Sequence, residues 1–249
     1  NCLMSSMIGE RSGNRGRCAG CCRKQYTLFD LTNNKKLDTG YLLSMKDLNV
    51  SNNLEDLSFA TSLKIEGRMK EPSYVAAVTR YYRNKLDNIS QDEESINKVF
   101  NRTYTKGFML GSTSEDITNI KKPNNNGYYI GTVVNVYNHK ITIRLEKPLH
   151  KGDQICIDSD YKTEISIPVI KMFNKFNKQV DSENKLVSLY SDEKIRVGAK
   201  VYKTRDVVFL NSVEQDSKES TFFRTPVDFS VYAFVGSPVK ITAKITGFS

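Results

Sequence analysis

The chain is short of the residues on which most hydrolytic and metal chemistry depends. Its 249 residues include two histidines, His139 and His150, so a Cys–His nucleophile pair or a His-bound catalytic zinc has little to draw on. Gly-x-Ser-x-Gly, Walker-type loops, His-Glu-x-x-His and a complete dinucleotide fingerprint are all missing. No apolar run approaches the roughly 18 residues that cross a bilayer, and the opening residues, Asn-Cys-Leu-Met-Ser-Ser, offer neither a basic n-region nor an initiator Met. These absences lead us to expect a soluble protein with no membrane partner, and a piece of a longer chain; the cytoplasmic location we expect follows from the cysteine usage below. With 39% hydrophobic residues and only 6 prolines, the composition is that of a globular protein, neither disordered nor collagen-like.

What is present is unevenly placed. Four of the five cysteines, Cys2, Cys18, Cys21 and Cys22, fall within the first 22 residues, while Cys156 stands alone. A secreted disulfide framework would spread its cysteines; a cluster of this kind belongs to a reducing compartment, where it ligates metal or does redox chemistry. Thiolates at C-x15-C-x3-C (Cys2, Cys18, Cys22) can hold an iron–sulfur cluster. The pair Cys18 and Cys21 alone fits zinc spacing, and free cysteines in a loop remain the plainest alternative. Arg11, Arg15, Arg17 and Arg23 lie among these cysteines, where guanidinium groups could seat a phosphate or carboxylate.

Residues 1–47 read as loop, apart from a short strand at Tyr41–Ser44. A second strand is expected at Ser62–Ile65, ending in the charged run Lys64, Glu66, Arg68, Lys70; were it part of a (β/α) barrel, that end would be where a site is built, the alternative being a surface ion-pair array. Pro72 can open a helix, which runs to Leu86 with Val75, Val78, Tyr82 and Leu86 on one stripe. A second short helix is expected at Glu93–Phe100, and a domain boundary near 115–125. Beyond it, alternating segments at Tyr129–Tyr137, Lys140–Leu145, Asp153–Ile157, Ile165–Phe173, Lys185–Leu189 and Lys200–Thr204 predict a small β-barrel. This region, Asn119–Lys203, holds 15 basic and 9 acidic residues, +6 of the chain's +9, as expected of a nucleic-acid partner. A last alternating segment, Pro226–Thr246, reads as a β-hairpin.

Three stretches together resemble the collagenase-like U-32 peptidase family: Cys2-Leu-Met-Ser-Ser with Gly9-Glu-Arg-Ser-Gly-Asn-Arg-Gly-Arg-Cys18-Ala-Gly-Cys-Cys22-Arg; Ser62-Leu-Lys-Ile-Glu-Gly-Arg-Met-Lys70 with Thr79-Arg80-Tyr81-Tyr82-Arg83; and Phe100-Asn-Arg-x-Tyr-Thr-Lys-Gly-Phe108 with Asn126-Gly-Tyr-Tyr-Ile-Gly-Thr-Val133. The resemblance implies an α/β plus all-β chain: the C-terminal part of a (β/α) TIM-like barrel (1–118), a small translation-factor-like β-barrel (119–205) and the start of a further β region (206–249). It implies a [4Fe–4S] cluster on Cys2, Cys18 and Cys22, with Cys21 either a bystander or a substitute ligand, and oxygen-independent hydroxylation of a nucleobase in ribosomal RNA or transfer RNA with prephenate as co-substrate. The family's older label, a collagenase-like peptidase, and a non-catalytic RNA-binding module are the alternatives. Substrate-binding residues on this reading are Arg11, Arg15, Arg23, Lys64, Glu66, Arg68 and Lys70. Arg68 is the expected grip on an anionic co-substrate, in a pocket shared with the cysteine loop.

Overall fold

The computed structural model describes residues 2–67, 70–111, 116–158, 164–219 and 226–245. Helix α1 (Leu3–Gly9) leads into two turns and a hairpin of β1 (Tyr26–Asp30) and β2 (Lys35–Gly40). This hairpin replaces the loop expected before residue 47. Asp30 folds its turn: Oδ1 accepts from the N–H groups of Thr32 and Asn33 at 2.9 and 3.2 Å, and Asn34 takes a left-handed conformation at φ 46°. The strand expected at Tyr41–Ser44 is a turn closed by Ser44 N–H to Tyr41 O at 2.8 Å; next to it Met45 makes an isolated antiparallel bridge with Thr118, and β3 (Asp47–Leu48) then runs parallel to β4 (Tyr104–Thr105). Ser62–Ile65 joins no ladder among the described residues.

Between β3 and β4 lies helix α2 (Pro72–Leu86), with Pro72 at its first position and Arg83 and Lys85 in its last turn. It buries Ala77, Val78 and Tyr81, while Val75 and Leu86 of the expected stripe are 39% and 46% exposed. The burying face is rotated because α2 packs on α3 (Val207–Glu219) through Val213, with Val99 completing the cluster. Nothing in the sequence analysis anticipated α3, so the region after 205 begins with a helix and not with β structure. Asp206 starts that helix by accepting the Phe209 N–H at 3.0 Å, and Arg80 of α2 pairs with Asp216 of α3. The helix expected at Glu93–Phe100 is a single 3-10 turn, Ser95–Lys98.

The rest is β structure: β5 (Tyr128–Tyr137), β6 (Lys140–Leu145), β7 (Leu149–His150), β8 (Gln154–Ile157), β9 (Ile165–Pro168), β10 (Met172–Asn174), β11 (Gln179–Val180), β12 (Ser182–Glu183), β13 (Leu186–Tyr190) and β14 (Lys200–Arg205). Eight of these form one antiparallel sheet in the order β11-β10-β13-β6-β5-β14-β8-β9. Bulges in β5 and β14 let the sheet curl into a half-barrel that its edge strands do not close. The strand expected over Ile165–Phe173 splits after Pro168, which has no N–H to donate. Ile130, Val133, Ile141, Ile143, Ile155 and Val201, each fully buried, fill the concave side. The expected hairpin at the end is β15 (Val227–Tyr232) with β16 (Lys240–Ile245). The structure is thus mostly β with few helices. Among the described residues the parallel pairing of a (β/α) barrel is limited to β3 and β4, and no helix is long and apolar enough to cross a membrane.

Candidate cysteine and anion site

The cysteine loop is organised by one serine. Ser5 on α1 is buried; its hydroxyl donates to Arg11 O at 2.9 Å and accepts the Ala19 N–H at 3.0 Å, so α1 and the segment carrying Cys18 are tied across fourteen residues. Cys2 caps the start of α1, its carbonyl accepting Ser6 N–H at 3.2 Å. Between them Gly13 provides room: a Cβ built there would lie 3.9 Å from the Cys18 Cβ and 4.0 Å from the Cys2 Cβ. The two cysteines are therefore neighbours across a cradle that a larger side chain would fill. Gly20, at φ 65°, turns its N–H onto the Cys18 sulfur at 3.4 Å, the kind of contact that steadies a thiolate.

Cys21 and Cys22 sit on the turn Cys21–Arg23, which packs on α1. Cys21 is buried and its carbonyl accepts the Tyr26 hydroxyl at 2.8 Å; Cys22 is half-buried, whereas Cys2 and Cys18 are exposed. In kind, three accessible thiols, an N–H···S contact and a glycine cradle fit a soft-metal or iron–sulfur group. Among the described residues, no three cysteine, histidine or carboxylate side chains are already gathered as ligands.

Arg23 connects this turn to the rest. Its Nη1 donates to Ser44 Oγ and to Met45 O, both at 2.7 Å. Burial is the main cause that lowers its pKa, Arg102 adds to that, and Cys22, Asp47 and Cys18 act in the opposite sense. Arg102 is held by Asp47, whose carboxylate accepts the Arg102 backbone N–H at 2.8 Å and lies 3.4 Å from Nε. That Nε is shielded from solvent without a hydrogen bond. Lys70 lies 2.9 Å from the centre of the Phe100 ring, over which the Arg102 guanidinium also sits at 5.2 Å. Three cations, Arg23, Lys70 and Arg102, thus lie in the field of one carboxylate, Asp47, whose ion pair is with Arg102. Arg102 and Asp47 were missed from sequence, although Arg102 lies inside the quoted Phe100–Phe108 stretch; nothing in its spacing ties it to Lys70.

Burial, reinforced by Arg102, lowers the Lys70 pKa to about 8. We expect Lys70 to be acylated by amine reagents with a midpoint near that pH, below the ordinary lysine range, as peptide mapping of partly modified protein would show. A midpoint with the bulk lysines would place its ammonium in open water.

The other expected site residues divide. Arg11 and Arg15 are exposed on the cysteine loop. Lys64 and Glu66 pair with each other at 2.8 Å with side chains 84% and 68% exposed, so they form the surface ion pair of the simpler reading and not a pocket wall. With no strand at Ser62–Ile65, the expected strand-end site has no strand to stand on. Arg68 lies outside the described residues. Of that charged run, the structure brings Lys70 to the cysteine side through Arg102 and Arg23.

Residues 1–119 match the model of peptidase family U32. They belong to that family. This U32 segment contains the cysteine turn, Arg23, Lys70 and Arg102, while the curled sheet follows it. Similar proteins include the Escherichia coli 23S rRNA 5-hydroxycytidine C2501 synthase, 34% identical over 170 residues covering 61% of this chain and 26% of that protein. A Porphyromonas gingivalis collagenase is 28% identical over 221 residues, 81% of this chain and 61% of that protein. The Bacillus subtilis tRNA hydroxylation protein P1 is 28% identical over 176 residues, 62% of this chain and 42% of its own length. This chain therefore spans from about a quarter to about three fifths of the length of these relatives.

Proposed function

We propose that this chain belongs to a cytoplasmic, oxygen-independent hydroxylase acting on a nucleobase of ribosomal or transfer RNA, with a [4Fe–4S] cluster held by Cys2, Cys18 and Cys22. The observation that carries the reading is the cradle at Gly13, which brings Cys2 and Cys18 together beside a turn whose arginine, Arg23, is one of a group of three cations. A cluster bound there would supply one-electron chemistry. Around it, the Gly20 N–H stabilises sulfur charge, and Lys70 and Arg102 would seat an anionic co-substrate, for which prephenate is the candidate. The parallel pair β3 and β4, with α2 between them in the chain, is what supports a (β/α) barrel in this reading. RNA as the substrate is supported by the names of two relatives and by the excess positive charge of the sheet region, a sequence-independent attraction for phosphates. Peptide hydrolysis is less well supported, because the two histidines lie far along the chain from the cysteine loop, His139 in the turn between β5 and β6, 3.0 Å from Asp192, and His150 on β7 beside Asp153.

Protein prepared without oxygen is expected to carry about four iron per chain and to yield a hydroxylated base in RNA, measured by mass spectrometry of digested nucleosides. Cys18→Ser and Cys22→Ser should abolish both, while buried Cys21→Ser leaves iron in place. Stoichiometric zinc without iron would overturn the cluster, and peptide cleavage without RNA modification would overturn the hydroxylase.

A further inference from the structure

Beyond the ends of the two parallel strands the surface opens into a recess of about 530 Å³, within the range of small-molecule sites. It lies where β3 gives way to Asn49 and the turn Ser51–Asn53, and where β4 gives way to Lys106. Loops after parallel strands are where α/β proteins place their ligands.

The wall chemistry is specific. Asn49 Oδ1 accepts from the Tyr82 hydroxyl at 2.9 Å and from Ser51 N–H at 3.0 Å, which fixes the amide and leaves its Nδ2 with no protein partner among the described residues. Asn53 Nδ2 donates to Asp56 at 3.0 Å, and its Oδ1 is without a hydrogen bond. The side-chain amide of Asn97, on the same wall, makes no protein hydrogen bond among the described residues. The two tyrosines present differ: Tyr81 gives its hydroxyl to Glu93 at 2.7 Å and Tyr104 gives its own to Ile96 O at 2.8 Å, so both have ring surface and no spare hydroxyl proton for a ligand. Lys46 and Lys106 stand on the lining outside the ion pairs described above, with the carboxylates of Glu93 and Asp116 on the same wall. Carboxamides with unused donors and acceptors read the edge of a flat heterocycle, aromatic rings cover apolar faces, and an ammonium takes a phosphate.

One strand serves both places. The residues just before β3 receive Arg23 from the cysteine turn, at Ser44 and Met45; Lys46 follows directly, and Asn49 lies just beyond the strand.

We propose that this recess binds a single nucleotide, its base at the Asn49 and Asn97 amides and its phosphate at Lys46 and Lys106. As the source of that nucleotide it rests on the RNA reading above, and it adds the place where a nucleotide drawn out of the strand is held. The test is equilibrium dialysis of the full chain with the four ribonucleoside 5′-monophosphates, the four nucleosides and inorganic phosphate. At least one nucleotide should bind saturably and more tightly than its nucleoside or than phosphate. Asn97→Ala should weaken nucleotide and nucleoside alike by about tenfold, whereas Lys106→Ala should weaken the nucleotide by about tenfold and leave the nucleoside unchanged. Both variants should keep the parent unfolding midpoint. No saturable binding, or phosphate binding as well as the nucleotide, overturns the site, as does indifference to both substitutions. Assayed in parallel, hydroxylation that persists in Asn97→Ala and Lys106→Ala overturns the site alone; nucleotide binding without any hydroxylation overturns the proposed reaction alone.

Discussion

Lys203→Ala is expected to lower the folding free energy by about 3–5 kcal/mol, the cost of stripping one partner from a buried ion pair. The Lys203 side chain on β14 is 1% exposed, and its ammonium lies 2.7 Å from Asp153, itself 0% exposed, and 3.6 Å from Asp206. The carboxylates have further duties. Asp153 accepts the N–H groups of His150 and Val207, each at 2.8 Å; Asp206 accepts the Tyr128 hydroxyl at 2.5 Å and opens α3. Lys203 therefore neutralises the joint at which the curled sheet meets the helix that packs on α2. Removing it leaves two shielded carboxylates without a cation, and in urea the midpoint should fall with little change in slope. A second substitution, Asp153→Asn, which keeps an oxygen for one backbone N–H, should restore part of the loss, as coupled sites do. A loss below about 1 kcal/mol in Lys203→Ala would mean that water reaches the pair.

Acid should erase the difference. Burial pushes the Asp206 carboxyl up, but the Tyr128 and Phe209 hydrogen bonds and the charge of Lys203 leave its pKa below the ordinary value. A carboxyl depressed in the folded state contributes stability that is present above its unfolded pKa and lost as pH falls through the folded one. The gap between the parent and Lys203→Ala is thus expected to narrow on acidification below the ordinary carboxylate range.

How much of this could be read from sequence depended on whether one face of each element is buried. The strands of the curled sheet alternate because one face lines a core, and β6, with Ile141, Ile143 and Leu145 buried on one face, was placed to the residue. The hairpin β1–β2 is exposed on both faces, so its residues show no alternation, and its turn at Asp30 was the only local signal. Strands β3 and β4 are two residues each and held by partners 57 positions apart, as Asp47 and Tyr104 are; no window of sequence contains that pairing. Helix α3 was missed because a short mixed stretch shows its apolar side only once Val213 meets Ala77 and Val78. The site followed the same rule. Cysteine spacing is written along the chain, whereas the meeting of Arg23, Lys70 and Arg102 around Asp47 is made by the fold, and so is the burial that distinguishes Cys21 from its neighbours. Lys64 and Glu66 looked like a site because they are adjacent and charged, and they are adjacent and charged because they pair in water.

Gly13→Leu is expected to take the iron content from about four per chain to near zero while leaving the fold intact. The room between Cys2 and Cys18 exists because position 13 has no side chain: a methyl there would already touch both Cβ atoms at 3.9–4.0 Å, ordinary contact distances, and four carbons would extend into the space where the two sulfurs must meet a common ion. Gly13 is not among the glycines held at positive φ, so a larger residue meets no backbone strain, and the residue is only half-buried in a loop that contributes little to either hydrophobic cluster. The thermal midpoint and helix content should therefore match the parent, which separates the effect from unfolding. Gly13→Ala gives the graded control, retaining most of the iron because its methyl sits at contact distance without crossing the gap. RNA affinity in Gly13→Leu should survive and still fall with salt, since it derives from the basic sheet region and not from the cysteine loop. Iron analysis and the visible absorption of anaerobic protein decide the matter. A Gly13→Leu protein that stays fully loaded would show that Cys2 and Cys18 do not share a ligand across this cradle, and the assignment of both to one cluster would fall with it.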